Sequence, residues 1–175
     1  MAVLVEALSV IVRVKAILEK FTGGIDAFYG IVPNKTMCAD NELVRVGFMS
    51  PDDVSAFVGK LHTGGLTFEL DGQAADIVVA DQLHGFTRPC GWAEFGRINL
   101  DNDSHKRVAA CRLVGSQERL FTPEDWKFDG SMSHTYNFVP NAHAPKLKFL
   151  RRENGIDVYL NPLTGEEMFI GRSGQ

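Results

Sequence analysis

Short runs of β-branched and aromatic residues, separated by turn-forming pairs, constrain the fold of this chain more than any other feature. The run at 3–14 is dense in valine, isoleucine and leucine and predicts a strand buried on both faces. Asp40-Asn41 and Asn154-Gly155 suit the backbone geometry of tight hairpins. Further strands are predicted at 36–39, 43–49, 66–70, 76–80, 92–100 and 108–114. Short turns between strands favour antiparallel pairing, so the pattern predicts a mostly antiparallel sheet.

One segment, "SPDDVSAFVGKLHTGG", carries a full set of helix signals. Ser50 suits the N-cap, Pro51 suits the first helical position, and two aspartates complement the positive end of the helix dipole. Apolar residues then share one helical face, at Val54, Phe57, Val58 and Leu61. Helical patterns at 15–21 and 25–32 bring the expectation to two or three helices, and the fold class to α+β.

The C-terminal part of the chain predicts a three-stranded meander at 146–175, with strands "LKFLRR", "IDVYL" and "EEMFIG". The segment 131–145 holds two prolines and two histidines without clear periodicity, and is predicted to be an irregular linker or loop. We therefore expect a main α+β domain at 1–130, followed by this linker and by a meander that packs on the main domain. The turn-rich "TPEDW" at 122–126 predicts a short capped helical turn.

Composition limits the classes of function. The chain has 175 residues, of which 45% are hydrophobic and 23% charged, as in a globular protein. A net charge of −4 disfavours binding to nucleic acid, because phosphate contacts need a basic face. Three distant cysteines, without a C-x-x-C pair, suit a reducing compartment, and cytoplasmic localisation is expected.

The apolar start of the chain, "MAVLVEALSVIVRVKAILEKF", raises the question of a signal peptide or membrane span. Glu6 interrupts it, a positively charged beginning is missing, and the uninterrupted run is far shorter than the ~20 residues a span requires. The stretch is therefore interpreted as a buried strand leading into a helix, and no membrane partner is expected.

The stretch at 81–95, "DQLHGFTRPCGWAEF", is the strongest candidate for a binding surface. Phe86, Arg88 and Trp92 belong to residue types common in interface hot spots, and His84 lies beside them. The alternative is that the two aromatic side chains point into the core. Both interpretations are compatible with the sequence.

Catalytic and metal-binding alternatives can also be written for this stretch. Cys90 with His84 as base, and Asp81 or Glu94 to orient it, would form a thiol nucleophile, whereas a half-buried structural cysteine is the simpler interpretation. The sequence contains neither a P-loop nor a G-x-S-x-G motif, and its histidines lack zinc-binding spacings.

Two resemblances bear on function. The stretches "LVRVGFMSPDDVSAFV", "GLTFELDGQAADIVVADQ" and "IDVYLNPLTGEEMFIGR" resemble a group of small bacterial proteins of unknown function, which implies a bacterial cytoplasmic origin. "DDVSAFVGKLHTGGLTF" followed by "DIVVADQ" is similar to half-domains of the vicinal-oxygen-chelate fold, whose strands carry metal-binding His and Glu. That similarity would make Glu6, His84 and Glu94 metal ligands if they converge in space.

Together these features predict a non-enzymatic cytoplasmic module that binds another protein, as an immunity protein that blocks a toxin does. Homodimerisation is compatible with this prediction, and no cofactor is expected. The alternative is a small-molecule-binding or metal-dependent enzyme with a vicinal-oxygen-chelate-like fold.

Overall fold

A computed structural model of the protein describes residues 1–135, 148–153, 156–160, 165 and 167–171. Its strands are β1 (Ala2–Val5), β2 (Leu8–Arg13), β3 (Cys38–Ala39), β4 (Leu43–Phe48), β5 (Glu69–Leu70), β6 (Gln73–Ala74), β7 (Ile77–Asp81), β8 (Gly85–Phe86), β9 (Ala93–Asn99), β10 (Arg107–Leu113), β11 (Leu120–Phe121), β12 (Lys148–Glu153), β13 (Ile156–Leu160) and β14 (Glu167–Gly171). Its helices are α1 (Val14–Lys20), α2 (Gly24–Ile31), α3 (Pro51–Thr63) and α4 (Met132–Thr135). The predicted α+β class with mostly antiparallel sheets is confirmed. A fourth, short helix exceeds the two or three that were expected.

Helices and two stacked sheets form three layers. The central sheet has the order β3-β4-β2-β7-β8, and the outer sheet has the order β11-β1-β10-β9. Alternate residues of β2, such as Val10 and Val12, pack with Phe28, Phe57 and other residues of the helices. Ile11 points the other way and packs with residues of the outer sheet. The central sheet is therefore buried on both faces.

The run at 3–14 was predicted to be one strand, and this was wrong. It forms β1 in the outer sheet and β2 in the central sheet, with a bend at Glu6 and Ala7 between them. Ala7 has φ 48°, which allows the chain to turn from one sheet to the other. A residue run that is apolar on both faces suits either arrangement, because both strands lie inside the molecule.

The prediction of α3 is confirmed. The Ser50 side chain accepts a hydrogen bond from the Asp53 amide at 3.2 Å, and Pro51 begins the helix. Val54, Phe57 and Leu61 are buried against the central sheet. Gly65, at φ 110°, reverses the chain after the helix ends.

Two local predictions need correction. The segment 122–126 was predicted to be a short helical turn, but it contains no helix. It forms a reverse turn, in which the Trp126 main-chain amide donates to the Pro123 carbonyl at 3.2 Å. Of the strand predicted at 66–70, Glu69–Leu70 forms a strand that pairs with β6, whereas Thr67 and Phe68 only accept main-chain hydrogen bonds from Asp76 and Ala75. The hairpin predicted at 92–114 is confirmed, because β9 and β10 pair antiparallel along their whole length.

The C-terminal strands form the predicted three-stranded meander, in the order β12-β13-β14. Phe149 packs edge-on against Tyr159 at a centroid distance of 5.6 Å, and Arg151 pairs with Glu167 at 3.0 Å. In the predicted irregular linker 131–145, residues 132–135 instead form the short helix α4, and residues 136–145 lie outside the described ones. Across the part of the chain that the structure describes, no helix combines the length and apolar character needed to cross a membrane.

Candidate functional site

A cavity of about 440 Å³ opens where the chain bends between the two sheets. It is lined by residues 6–7, 34–36, 47–49 and 123–126, together with Arg45, Asp53 and Met132. We call it the bend cleft. Its walls come from four distant parts of the chain, which the two sheets bring to one end of the molecule.

Arg45 forms part of the floor of the bend cleft and is only 2% exposed. Side chains alternate along β4, so Val44 and Val46 point toward the helices. Arg45 lies on the opposite face of the central sheet, the face that packs against the outer sheet. Its guanidinium donates to the Ser9 hydroxyl at 2.9 Å, the Glu6 carbonyl at 2.9 Å and the Thr36 carbonyl at 3.0 Å. Burial lowers the pKa of Arg45, because removal from water disfavours the charged form. Arg45 thus ties the bend to β4.

The bend is also fixed from its other side by Gln82, which is 1% exposed. The main-chain amide of Gln82 donates to the Ala7 carbonyl at 2.9 Å, and the Gln82 side-chain oxygen accepts from the Ala7 main-chain amide at 2.8 Å. Its side-chain nitrogen donates to the Met132 carbonyl at 3.1 Å. The wall of the cleft at Met132 is thereby connected to the bend.

Glu6 stands at the bend and is one of the residues that line the cleft. Its Oε1 atom accepts hydrogen bonds from Trp126 Nε1 at 3.1 Å, the Ser133 amide at 2.9 Å and the Ser133 hydroxyl at 2.6 Å. Three donors on one oxygen fix the orientation of the carboxylate.

The bend cleft continues into a second cavity of about 600 Å³. Both are lined by Asn34, Lys35, Glu124 and Asp125, and the second adds Tyr29, Val32 and Met37. We call the two cavities together the acidic groove. Four carboxylates line it, at Glu6, Asp53, Glu124 and Asp125, against the two cations Lys35 and Arg45.

The acidic groove also has a substantial apolar surface. Tyr29 is 46% exposed and Met49 is 38% exposed, and both are large side chains that line it. Phe48, Trp126 and Met132 add further apolar wall within the bend cleft. An open concave surface with exposed apolar side chains and charged edges is suited to binding.

The predicted binding residues in the stretch 81–95 lie elsewhere and have partners within the chain. Phe86 and Trp92 are half-buried against the core between the sheets, and Trp92 Nε1 donates to the Ala74 carbonyl at 3.2 Å. Arg88 pairs with Glu69 at 2.7 Å and lies over Phe68. His84 is exposed beside Asp81. The structure thus gives these aromatic side chains a packing role, and a partner contact by this stretch stays a prediction.

The fold brings together only part of the catalytic alternative. His84 Nδ1 lies 3.4 Å from Asp81 Oδ1, as a base and its orienting carboxylate would, but among the described residues no hydrogen bond links His84 to Cys90, and burial raises the pKa of the Cys90 thiol. Glu94 pairs with Arg112 at 2.9 Å, on β9 and β10. Among the described residues, no three His, Cys, Asp or Glu side chains converge as a metal site, so Glu6, His84 and Glu94 do not form one.

No protein-family model, curated protein or solved structure matches this chain. The resemblances inferred from its sequence therefore stay expectations. Function has to be inferred from the geometry of the acidic groove.

Of the residues that line this groove, only Glu6 was named as a candidate site residue from the sequence, as a possible metal ligand, although the sequence holds one further signal of the site. Arg45 interrupts the apolar run "LVRVGF", in a strand that is buried throughout. A charged side chain inside a buried strand needs hydrogen-bonding partners, and such partners cluster where the core meets a polar site. This signal indicates that Arg45 is buried and hydrogen-bonded, but it does not identify the residues from other parts of the chain that surround Arg45.

Proposed function

We propose that this chain is a non-enzymatic, cytoplasmic module that binds another protein through the acidic groove. The observation that carries the proposal is the combination of exposed apolar side chains, at Tyr29 and Met49, with a carboxylate-rich edge. The three cysteines are free thiols, which suits a reducing compartment.

The partner segment that fits this groove is basic with apolar residues interspersed. Four carboxylates against two cations leave the lining net negative, and the edge residues Glu124 and Asp125 are exposed. Opposite charge on a partner speeds its association and selects against acidic proteins. Apolar contacts with Tyr29 and Met49 would then supply the desolvated centre of the interface. A toxin blocked by an immunity-type protein is one partner of this kind.

Site-specific photo-cross-linking in the native host tests the proposal. A benzoylphenylalanine in place of Met49 lies in the groove, whereas one in place of Leu70 is 65% exposed but lines neither cavity. We expect one protein adduct from position 49 and none from position 70.

Charge reversal makes this test specific to the groove. Glu124→Lys should reduce the adduct from position 49 about tenfold in dilute salt, since like charges at an interface disfavour association. Glu19→Lys changes an exposed carboxylate on α1 that lines neither cavity, and should leave the adduct unchanged. Equal adducts from positions 49 and 70, or none from position 49, would contradict the proposal.

A further inference from the structure

We propose that the Glu6 carboxylate anchors one lysine or arginine side chain of the partner protein in the bend cleft. This inference rests on the proposed function, and it assigns the chemistry that the cleft recognises. It commits to a partner segment that places one cation at the floor of the cleft and apolar residues against the walls.

The first support is the uneven use of the two Glu6 oxygens. Oε1 accepts three hydrogen bonds, from Trp126 and from the amide and hydroxyl of Ser133. Oε2 accepts none from the described residues, although Glu6 lines the cleft. A carboxylate has about four acceptor positions, so those of Oε2 remain for a ligand.

The second support is that this carboxylate is already oriented. Trp126 and Ser133 hold Glu6 in place before any ligand arrives. A fixed acceptor loses little conformational freedom on binding, so more of the interaction energy appears as affinity. Hydrogen bonds from an ammonium or guanidinium to a carboxylate are also about twice as strong as neutral ones.

The third support is the surroundings of Glu6. Phe48, Met49 and Trp126 offer apolar wall for the methylene stem of a long basic side chain. Asp53 is the acidic residue on α3 that lines the same cleft. An anionic ligand would meet these carboxylates instead.

Besides Lys35, an exposed cation that lines the same cleft, two positive features near Glu6 are already compensated within the chain. Each nitrogen of the Arg45 guanidinium donates a hydrogen bond to an oxygen, of Ser9, Glu6 or Thr36. The positive end of α3 carries Asp52 and Asp53, and Ser50 caps the Asp53 amide. Neither Arg45 nor the start of α3 therefore provides an uncompensated positive charge that would attract an anion into the cleft.

The chain supplies its own reporter for a test by nuclear magnetic resonance. Its two tryptophans are Trp126, whose indole N–H contacts Glu6, and Trp92, whose indole N–H contacts the Ala74 carbonyl. The probe is N-acetyl-arginine amide, and its uncharged isostere N-acetyl-citrulline amide is the matched ligand control. We expect the arginine probe to shift the Trp126 indole resonance and to leave that of Trp92 in place, and the citrulline probe to shift neither.

Variants assign the effect to Glu6. Glu6→Gln keeps an oxygen that can accept from Trp126 and Ser133 but removes the charge, so affinity for the arginine probe should fall about tenfold. Asp52→Asn removes an exposed carboxylate at the same end of α3 that does not line the cleft, and should bind like the unmodified protein. An unshifted Trp126, an equal response to citrulline, or unchanged affinity in Glu6→Gln would each overturn the inference.

Failure of this inference can be told apart from failure of the proposed function. If the probe does not shift Trp126 while benzoylphenylalanine at position 49 still captures its partner, the groove binds protein without a cation anchored at Glu6. If the Trp126 resonance responds but position 49 captures nothing, the cleft binds a small cation and both proposals fall, since both specify a partner protein. A reduced adduct in Glu6→Gln, beside a Trp126 response lost in the same variant, supports both.

Discussion

At the scale of single residues, Arg45 shows how a buried charge is accommodated. Its side chain is 2% exposed, and its hydrogen bonds go to the Ser9 hydroxyl and to two main-chain carbonyls. Burying a charged side chain is costly unless its donors find hydrogen-bond partners. The main-chain carbonyl of Glu6, at the bend, is one of the partners of Arg45. The guanidinium lies over Gly47, two residues along β4 on the same face. Residue 47 therefore has no room for a side chain.

Replacing Gly47 with alanine tests this arrangement. A Cβ atom at this position would lie 2.5 Å from Nη2 and 2.8 Å from Cζ of Arg45, which its hydrogen bonds hold in place. We expect Gly47→Ala to lower the free energy of unfolding by about 1–3 kcal/mol, measured by urea denaturation. Gly96→Ala is the matched control, because a Cβ atom there has nothing within 4 Å and should leave stability unchanged or raise it by up to about 1 kcal/mol. Equal effects of the two substitutions would contradict this account of Gly47.

At the scale of elements, α3 and the β1–β2 bend show which structure the sequence predicts. The start of α3 depends on Ser50 and its immediate neighbours, so its signals lie within one short segment. The bend depends on partners far along the chain, Arg45 and Gln82, which hold Glu6 and Ala7 from two sides. Local patterns predicted the fold class and α3. The run at 3–14 was interpreted as one strand, although Glu6, which interrupts it, lies where the chain changes sheet.

The acidic groove was not predicted as a site, because its residues also come from distant parts of the chain. Glu6 and Trp126 are 120 residues apart and meet at a 3.1 Å hydrogen bond. Asn34 lies on a loop near β4, where its side chain donates to the Gly47 carbonyl at 2.8 Å. None of these residues stands in a spacing that a short motif could reveal, because tertiary packing alone brings them together.

The N-cap of α3 supports a quantitative prediction at this scale. Ser50→Ala removes the hydrogen bond that the side chain accepts from the Asp53 amide, and should lower the free energy of unfolding by about 1 kcal/mol. Ser55→Ala removes an exposed serine inside the same helix and should be neutral or slightly stabilising, because alanine favours the helix more than serine does. Urea denaturation of both variants provides the measurement, and an equal loss in both would show that capping is not the cause.

At the scale of the whole molecule, the two buried faces of the central sheet join the helices to the outer sheet. The core between the sheets contains Cys38 on β3 and Cys111 on β10. Burial raises the pKa of each thiol above its ordinary value of 9.0, because the interior disfavours the thiolate. Both thiols therefore stay protonated in the folded protein at pH values where those of the unfolded chain ionise.

Stability should consequently fall in alkaline solution. Below about pH 9 both states hold the thiol protons and these groups contribute no pH dependence. Above it the unfolded chain loses protons first, so the free energy of unfolding falls, by at most about 1.4 kcal/mol per pH unit for a thiol that stays protonated in the folded state. Urea denaturation between pH 8 and pH 11 should therefore give a shallower decline for Cys111→Ala than for the unmodified protein, whatever the cost of the cavity at neutral pH. Parallel declines would mean that Cys111 ionises equally in both states, and that the core between the sheets admits water.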